Sequence, residues 1–179
     1  MENKELAPGI VIYKNIILPC INEIMLIDEW SKEYVLTLSG QTLMDNESRS
    51  TSSVDIPHSD LSNNFTKVFR ETFDPVEKNY FSKYSISPKS HNPYKILKYN
   101  PGDKFDDHMD DGGGNFRRVS TVYYLNDNYE GGQVVFPRFN LEVQPESGDM
   151  LIFPSSYAYN HSVKEVKSGI RYSIASWIR

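Results

Sequence analysis

The spacing of apolar residues predicts helices in the first half of the chain. Apolar side chains recur three and four positions apart after Pro19, which predicts a helix over about residues 19–32. The same spacing predicts a second helical stretch over residues 61–80. This stretch is expected to break at Asp74-Pro75, because proline has no backbone N–H to donate inside a helix. Both segments are expected to act as supporting helices.

Two other segments of the first half lack helical spacing. The β-branched run GIVIYKN at residues 9–15 predicts a strand. Residues 45–60 are polar and rich in serine, which predicts a loop that could act as a lid over a site.

From residue 92 onward the pattern becomes that of short strands separated by turns. The β-rich runs are PYKILKYN, FRRVSTVYYLN, QVVFP, LEVQP, DMLIFP, HSVKEV and IRYSIASWI. The sequences between them, such as NPGD, NDNYEGG, PESGD and KSG, are typical of turns. Strands repeated every 8–12 residues or so predict a β-sandwich or jelly roll. The predicted fold class is therefore α+β, mainly β, with helices on one face of the strands.

Composition restricts the class of protein further. The 179 residues fit one domain, with residues 1–90 as supporting helices and strands and residues 91–179 as a β core. The net charge of −5 argues against a nucleic-acid partner, and no apolar run approaches the ~18 residues of a membrane span. The single cysteine, Cys20, cannot form an internal disulfide, and the N-terminus has no signal-peptide pattern. A cytoplasmic location is therefore expected.

The acidic stretch DDHMDDGGGN at residues 106–115 is a candidate metal site. A calcium loop does not fit, because a register that starts at Asp106 puts Arg117 where the bidentate glutamate is needed. A solvated acidic turn remains open on composition alone. If the segment is extended, His108 and Asp110 point to the same side. A second histidine would then complete the two-histidine, one-carboxylate set of a non-heme Fe(II) site.

His161 is the candidate for that second histidine, because it opens a strand in the β-rich half. If HSVKEV and IRYSIASW form a hairpin, Arg171 lies opposite Lys164, roughly 10 Å along the strand from His161. That separation suits a five-carbon dicarboxylate held by a metal at one end and by a guanidinium at the other. Ser173 shares the face of Arg171 and could donate a further hydrogen bond.

Five motifs occur in order over about residues 92–178: KYNPGDKFDDHMD, RRVSTVYYLND, YEGGQVVFP, VQPESGDMLIFP and NHSVKEVKSGIRYSIASW. On these motifs the sequence resembles the 2-oxoglutarate- and Fe(II)-dependent dioxygenases, and within them the prolyl 4-hydroxylase-like branch. The resemblance implies a double-stranded β-helix, which is a distorted jelly roll, with N-terminal supporting helices. It also implies Fe(II) as cofactor, 2-oxoglutarate and O2 as cosubstrates, and ascorbate as reductant.

By the same resemblance nine residues have implied roles. They are His108, Asp110 and His161 as iron ligands; Arg171, Tyr99, Tyr124 and Ser173 as residues that bind 2-oxoglutarate; and Arg117 and Trp177 as residues near the substrate. Nucleic-acid demethylases of this fold typically have an arginine where this chain has Trp177, and halogenating relatives lack the carboxylate of Asp110. Hydroxylation is therefore the implied reaction. The GGGN and NDNYEGG segments are expected to flank the mouth of the site.

The expected function is hydroxylation of prolyl residues in a peptide or protein, with formation of succinate and CO2. One alternative is hydroxylation of a free amino acid or another small molecule on the same scaffold. A jelly-roll module that binds a metal without redox chemistry is a second alternative. A third is a zinc hydrolase, for which Glu165 is the nearby candidate base.

Overall fold

The computed structural model describes residues 2–32, 35–36, 42–43, 48–60, 62–112, 114 and 116–179. The α-helices within these ranges are α1 (Ile21–Met25) and α2 (Asn64–Lys83), and two short 3-10 helices span Pro137–Phe139 and Tyr157–Tyr159. The strands are β1 (Asn3–Ala7), β2 (Ile10–Tyr13), β3 (Ser31–Lys32), β4 (Val35–Leu36), β5 (Thr42–Leu43), β6 (Ser52–Ile56), β7 (Tyr94–Tyr99), β8 (Phe105–His108), β9 (Val119–Tyr124), β10 (Glu130–Gly131), β11 (Val134–Phe136), β12 (Leu141–Val143), β13 (Met150–Pro154), β14 (His161–Val163), β15 (Val166–Ser168) and β16 (Arg171–Ile178). No helix in the described residues is both long and apolar enough to cross a membrane.

Two antiparallel sheets form the body of the protein. The larger has eight strands in the order β1-β2-β13-β9-β16-β7-β6-β3, and the smaller has four in the order β12-β11-β14-β8. Phe153 and Tyr124 of the large sheet pack against Val134 and Phe136 of the small sheet, so the inner faces meet in one apolar layer. The predicted α+β, mainly β, jelly-roll architecture is confirmed.

The side chains of strand β16 point alternately to the outer and the inner face of the large sheet. Tyr172, Ile174 and Ile178 point to the outer face, where they pack with the aromatic residues of α2. Arg171, Ser173, Ala175 and Trp177 alternate with them and line the space between the two sheets. One strand therefore supplies both the support for the helix and one wall of the internal pocket.

Helix α2 is continuous, so the predicted break at Asp74-Pro75 is wrong. Pro75 lies inside the helix, which begins after Asn63, whose side chain accepts a hydrogen bond from the Thr66 N–H at 3.2 Å. An internal proline costs about 3 kcal/mol. Phe69 and Phe73 are among the buried residues of this helix, and burial of such a side chain contributes roughly 1.5–3 kcal/mol. Burial of the apolar face therefore outweighs the lost hydrogen bond.

The predicted helix over residues 19–32 is shorter than expected, because α1 ends at Met25. The Trp30 indole N–H donates to the Ile27 carbonyl at 2.9 Å, and this carbonyl would accept from residue 31 if the helix continued. Ile27 and Trp30 nevertheless pack against the core, so their apolar spacing reflects burial without a helix. Residues 31–32 instead form β3.

The segment 45–60 also departs from the prediction of a loop, because it contains strand β6. This strand pairs with β7 over five residues, from Ser52 opposite Lys98 to Ile56 opposite Tyr94. Ser52 and Ser53 are buried, although serine is typical of turns. Residues 45–47 of this predicted loop or lid lie outside the described residues. The predicted strand over residues 9–15 is confirmed by β2.

The predicted hairpin between HSVKEV and IRYSIASW does not form. Strand β14 pairs with β8 and β11 in the small sheet, whereas β16 pairs with β7 and β9 in the large sheet. Arg171 therefore lies opposite Tyr99 rather than Lys164. Between them, β15 pairs with β10 in a separate two-stranded sheet, and Gly169 turns the chain from β15 into β16 with a φ of 74°. His161 and Arg171 consequently face each other across the internal pocket.

Candidate functional site

The internal pocket lies between the two sheets and brings together most of the residues singled out in the sequence. Its polar lining comes from both sheets, while apolar residues such as Leu97, Val122 and Phe153 fill the gaps between them. The predicted site residues that line it are His108, Asp110, His161, Tyr99, Tyr124, Arg171, Ser173 and Trp177. Arg117 does not line the pocket.

His108, Asp110 and His161 form a cluster of three potential metal ligands. Within the described part of the chain it is the one group of its kind, and its ligand atoms lie within 4.8 Å of one another. His108 ends β8 and pairs directly with His161, which begins β14. The Asp110 carboxylate reaches both imidazoles, with its oxygens 3.7 Å from His108 Nε2 and 3.7 Å from His161 Nε2.

Both imidazoles are fixed in the same orientation by backbone carbonyls. His108 Nδ1 lies 2.8 Å from the Asp106 carbonyl oxygen, and His161 Nδ1 lies 3.1 Å from the Tyr159 carbonyl oxygen. Because a carbonyl only accepts, Nδ1 carries the proton in each ring and Nε2 keeps its lone pair. Both lone pairs therefore belong to the nitrogens nearest Asp110. This is the usual arrangement around a metal-ligating histidine.

The protonation states also suit a metal. Burial, together with repulsion from His161, lowers the pKa of His108 to about 3, so the ring is neutral at physiological pH. Burial alone would raise the pKa of Asp110, but attraction to His161 and His108 and hydrogen bonds from Ser120 and Trp177 lower it below its ordinary value. Two imidazoles and one carboxylate are the donor set of non-heme Fe(II) sites. The residues present therefore fit Fe(II).

Arg171 occupies the other end of the pocket and is 1% exposed. Its guanidinium carbon lies 4.8 Å from the ring centre of Tyr99 and 5.1 Å from that of Tyr124. Its Nη1 donates to Ser173 Oγ at 3.3 Å. No carboxylate within the described residues forms a salt bridge with it.

Polar atoms near Arg171 are also left without partners. Arg171 Nε and the hydroxyls of Tyr124 and Tyr129 have no hydrogen-bond partner among the described residues. A buried guanidinium without a counter-ion is costly, and several unused donors beside it suit the carboxylate of a ligand. This end of the pocket therefore fits the distal carboxylate of 2-oxoglutarate, although the assigned roles stay predictions.

Arg117 and Trp177, predicted near the substrate, form a stacked pair. The guanidinium carbon of Arg117 lies 3.9 Å from the ring centre of Trp177. Arg117 Nη1 also donates to the Asp110 carbonyl oxygen at 3.4 Å. Trp177 thus forms part of the pocket wall, and Arg117 lies against that wall beside the carboxylate ligand. Glu165, the candidate base of a zinc hydrolase, is exposed and does not line the pocket.

The sequence analysis did not identify four further residues near the site, which are Ser120, Arg49, Tyr129 and Gly132. Ser120 donates to Asp110 Oδ2 at 2.6 Å, and Arg49 reaches the pocket wall over the Phe105 ring at 4.4 Å. Tyr129 and Gly132 belong to the YEGG motif, which could have directed attention to them. A Cβ on Gly132 would lie 2.9 Å from Arg171 Cδ and 3.1 Å from the Tyr129 ring, so a glycine is needed there.

Comparison with known proteins gives a match to one family model and a common fold. Residues 94–179 match the model of the 2OG-Fe(II) oxygenase superfamily. Human prolyl 3-hydroxylase 2 is 34% identical over 67 residues, which cover 35% of this chain and 10% of that protein. Chicken (Gallus gallus) prolyl 3-hydroxylase 1 is 39% identical over 67 residues, which cover 35% of this chain and 9% of that protein. The chain thus spans about a tenth of the length of the curated relatives it matches.

Two solved structures share the fold over nearly the whole chain. A prolyl hydroxylase from Trichoplax adhaerens, solved in complex with a peptide fragment of the hypoxia inducible factor oxygen degradation domain, has a TM-score of 0.77 at 20% identity. That match covers 95% of this chain and 83% of the Trichoplax chain. A prolyl-4-hydroxylase from Pseudomonas putida has a TM-score of 0.63 at 18% identity and covers 90% of this chain and 99% of that chain. At these identities the likeness shows a common fold.

Proposed function

We propose that this protein is a 2-oxoglutarate- and O2-dependent hydroxylase of prolyl residues in a peptide or protein, within the 2OG-Fe(II) oxygenase superfamily whose model residues 94–179 match. The observation that carries the proposal is the pocket itself. It places three metal ligands at one end and the buried Arg171, without a carboxylate partner among the described residues, at the other. A dicarboxylate that binds the metal at one end of the pocket would pair with Arg171 at the other end.

His108, Asp110 and His161 would hold Fe(II) at one end of the pocket. When bound, the metal would supply the oxidative chemistry by which 2-oxoglutarate and O2 become succinate and CO2 while the substrate is hydroxylated. Ascorbate is part of the proposal as the reductant that keeps the iron ferrous.

The protein's own contribution to 2-oxoglutarate binding is the placement of charge and the exclusion of water. Arg171 binds the distal carboxylate with the hydroxyl of Ser173 beside its guanidinium, and Tyr99 and Tyr124 flank it. All four residues are almost fully buried, so the hydrogen bonds form in a medium of low polarity, where they are strong. Leu97, Val122 and Phe153 keep the middle of the pocket apolar.

A prolyl substrate is supported by the curated relatives that match part of the chain and by the prolyl hydroxylases that share its fold. The substrate would approach beside Trp177, whose ring forms the pocket wall next to Asp110. The cytoplasmic location and the absence of nucleic-acid and membrane partners stay predictions.

Succinate release from 2-oxoglutarate tests the proposal. The purified protein would be assayed with Fe(II), ascorbate and a panel of proline-containing peptides and free amino acids, and hydroxylated products would be identified by mass spectrometry. Peptide-stimulated succinate and a +16 Da proline, both lost in His108→Ala, are the expected result. Succinate that only a free amino acid stimulates would instead identify a small-molecule hydroxylase. Absence of succinate from an iron-loaded protein would contradict the proposed reaction.

A further inference from the structure

Two buried serines form a chain of hydrogen bonds that ends at the Asp110 carboxylate. Ser120 Oγ lies 2.6 Å from Asp110 Oδ2 and 2.7 Å from Ser155 Oγ. Ser120 lies on β9 and Ser155 directly follows β13, and these two strands are neighbours in the large sheet. Each serine is 1% exposed, so solvent does not compete for these contacts.

The direction of donation along this chain follows from the chemistry of the end group. An ionised carboxylate only accepts hydrogen bonds, so the Ser120 hydroxyl must donate its proton to Asp110. A serine hydroxyl has one proton, and Ser120 can therefore only accept from Ser155. The order of donation is Ser155 to Ser120 to Asp110, and each hydroxyl in it has a fixed orientation.

Ser155 is itself held by the two ends of the loop that follows Asp110. Its backbone N–H donates to the Arg118 carbonyl at 3.0 Å, and its carbonyl accepts from the Asp111 N–H at 3.0 Å. Ser155 thus joins the backbone at Asp111 and Arg118 to the chain of hydroxyls that ends at the Asp110 carboxylate.

We propose that Ser120 and Ser155 are positioning residues that hold the Asp110 carboxylate toward the His108 and His161 imidazoles and so strengthen metal binding. The inference rests on the metal site of the proposed function. Partners that orient a metal ligand in this way raise metal affinity about 10–100-fold. The Asp110 oxygens also lie 3.7 Å from His108 Nε2 and 3.7 Å from His161 Nε2, so loss of the serine chain weakens the site without abolishing it.

Ser176 offers a matched control for removal of a buried hydroxyl. It is 1% exposed and lies on β16, opposite Thr121 of β9. Its Oγ has no hydrogen-bond partner among the described residues, and it does not line the pocket. Ser176→Ala therefore removes the same atoms from the same sheet without touching Asp110.

The experiment is a double-mutant cycle with Mn(II) as a redox-inert probe, measured by isothermal titration calorimetry without 2-oxoglutarate. The variants are Ser120→Ala, Ser155→Ala, the double variant, Ser120→Thr, Ser176→Ala and His108→Ala. Thermal unfolding of each metal-free protein reports on folding.

Ser120→Ala is expected to weaken Mn(II) binding about 10-fold. Ser155→Ala weakens it less, and adds nothing when Ser120 is already alanine. Ser120→Thr, which keeps the hydroxyl, restores binding, and Ser176→Ala leaves it unchanged.

The outcomes separate this inference from the proposed function. Wild-type Mn(II) affinity in Ser120→Ala, beside lost binding in His108→Ala, would overturn the positioning role and leave the metal site intact. Independent, additive losses from the two serines would overturn the chain from Ser155 through Ser120. A wild-type protein that binds no Mn(II) would contradict both the metal site and the positioning role.

Discussion

His161 on β14 and His108 on β8 are direct cross-strand partners, and each imidazole donates from Nδ1 to the carbonyl oxygen two residues before it. The antiparallel register sets the distance between the rings, and the carbonyls set their rotation. Their centres lie 4.3 Å apart. Two ligands distant in sequence are thus oriented before any metal arrives, which lowers the cost of binding it.

Replacement of either histidine is therefore expected to remove metal binding. His108→Ala and His161→Ala should each weaken Mn(II) binding more than the roughly 10–100-fold that loss of an outer partner costs. Calorimetric titration measures this directly. His58→Ala is the control, because His58 stacks on His91 at 4.3 Å outside the pocket. Retained affinity in the two ligand variants would contradict the assignment of the site.

Arg171 is expected to destabilise the ligand-free protein and to be required for the binding of 2-oxoglutarate. A buried cation without a carboxylate partner among the described residues destabilises the ligand-free protein, so Arg171→Met should raise the melting temperature without 2-oxoglutarate. In the presence of Mn(II), 2-oxoglutarate at a hundred times its Kd should stabilise the wild type by about 2.7 kcal/mol. The same concentration should not stabilise Arg171→Met.

Differential scanning calorimetry with and without the two ligands checks both halves of this prediction. Arg171→Lys should retain part of the effect, because it keeps the charge but loses the planar fork. Arg138→Met serves as control, since Arg138 is exposed and lies over the Tyr157 ring at 5.7 Å. Full stabilisation of Arg171→Met by 2-oxoglutarate would show that the distal carboxylate binds elsewhere.

Gly132 is expected to matter for 2-oxoglutarate through its contact with Arg171. Gly132→Ala places a Cβ 2.9 Å from Arg171 Cδ, at a residue whose φ is +65°. The guanidinium must shift, which weakens its hydrogen bond to 2-oxoglutarate. Because loss of one charged hydrogen bond lowers affinity roughly 10-fold, the KM for 2-oxoglutarate should rise by this factor. Steady-state succinate release measures this KM.

Gly102→Ala separates backbone strain from displacement of Arg171. Gly102 has a φ of +90°, but nothing lies within 4 Å of an added Cβ. Both variants should lose about 1–2 kcal/mol of stability from the positive φ. The KM should change only for Gly132→Ala. Equal effects on the KM would mean that strain, and not contact with Arg171, is responsible.

The candidate site was largely predictable because its ligands come in ordered local motifs. His108 and Asp110 were placed together by the alternation of an extended chain, and the pocket does contain them with His161 and Arg171. The assumed hairpin that related His161 to Arg171 was nevertheless wrong. Strand alternation is a local property, whereas strand pairing depends on contacts distant in sequence, and the KSG turn gave no indication that the chain changes sheets.

Residues that act through another side chain were missed for a related reason. Ser120 touches Asp110 only because β9 and the loop after β8 meet in space, and a serine in a strand carries no signal of that contact. Strand β6 was missed because Ser52 and Ser53 look like loop residues, although pairing with β7 satisfies their backbone groups. Fold class and ligand motifs are thus encoded locally, while supporting contacts are not.

Glu77 of α2 is expected to make stability fall as pH rises above neutrality. The side chain is buried outside the pocket, and burial, with repulsion from Asp74, raises its pKa to about 8. In the unfolded chain the group ionises at its ordinary pKa near 4.5, so the folded state binds one more proton between these values. The free energy of unfolding should therefore fall by about 1.4 kcal/mol per pH unit from pH 6.5 until the slope fades near pH 8.

The window above pH 6.5 isolates Glu77 from its neighbours. Burial lowers the pKa of His58 to about 4 and also lowers that of His91, so both affect stability below pH 6.5 and with the opposite sign. Urea unfolding between pH 6.5 and 8.5 measures the slope. Glu77→Gln should flatten it, and Glu71→Gln, on the exposed side of α2, should not. If Glu77→Gln keeps the wild-type slope, another group must release the proton on unfolding.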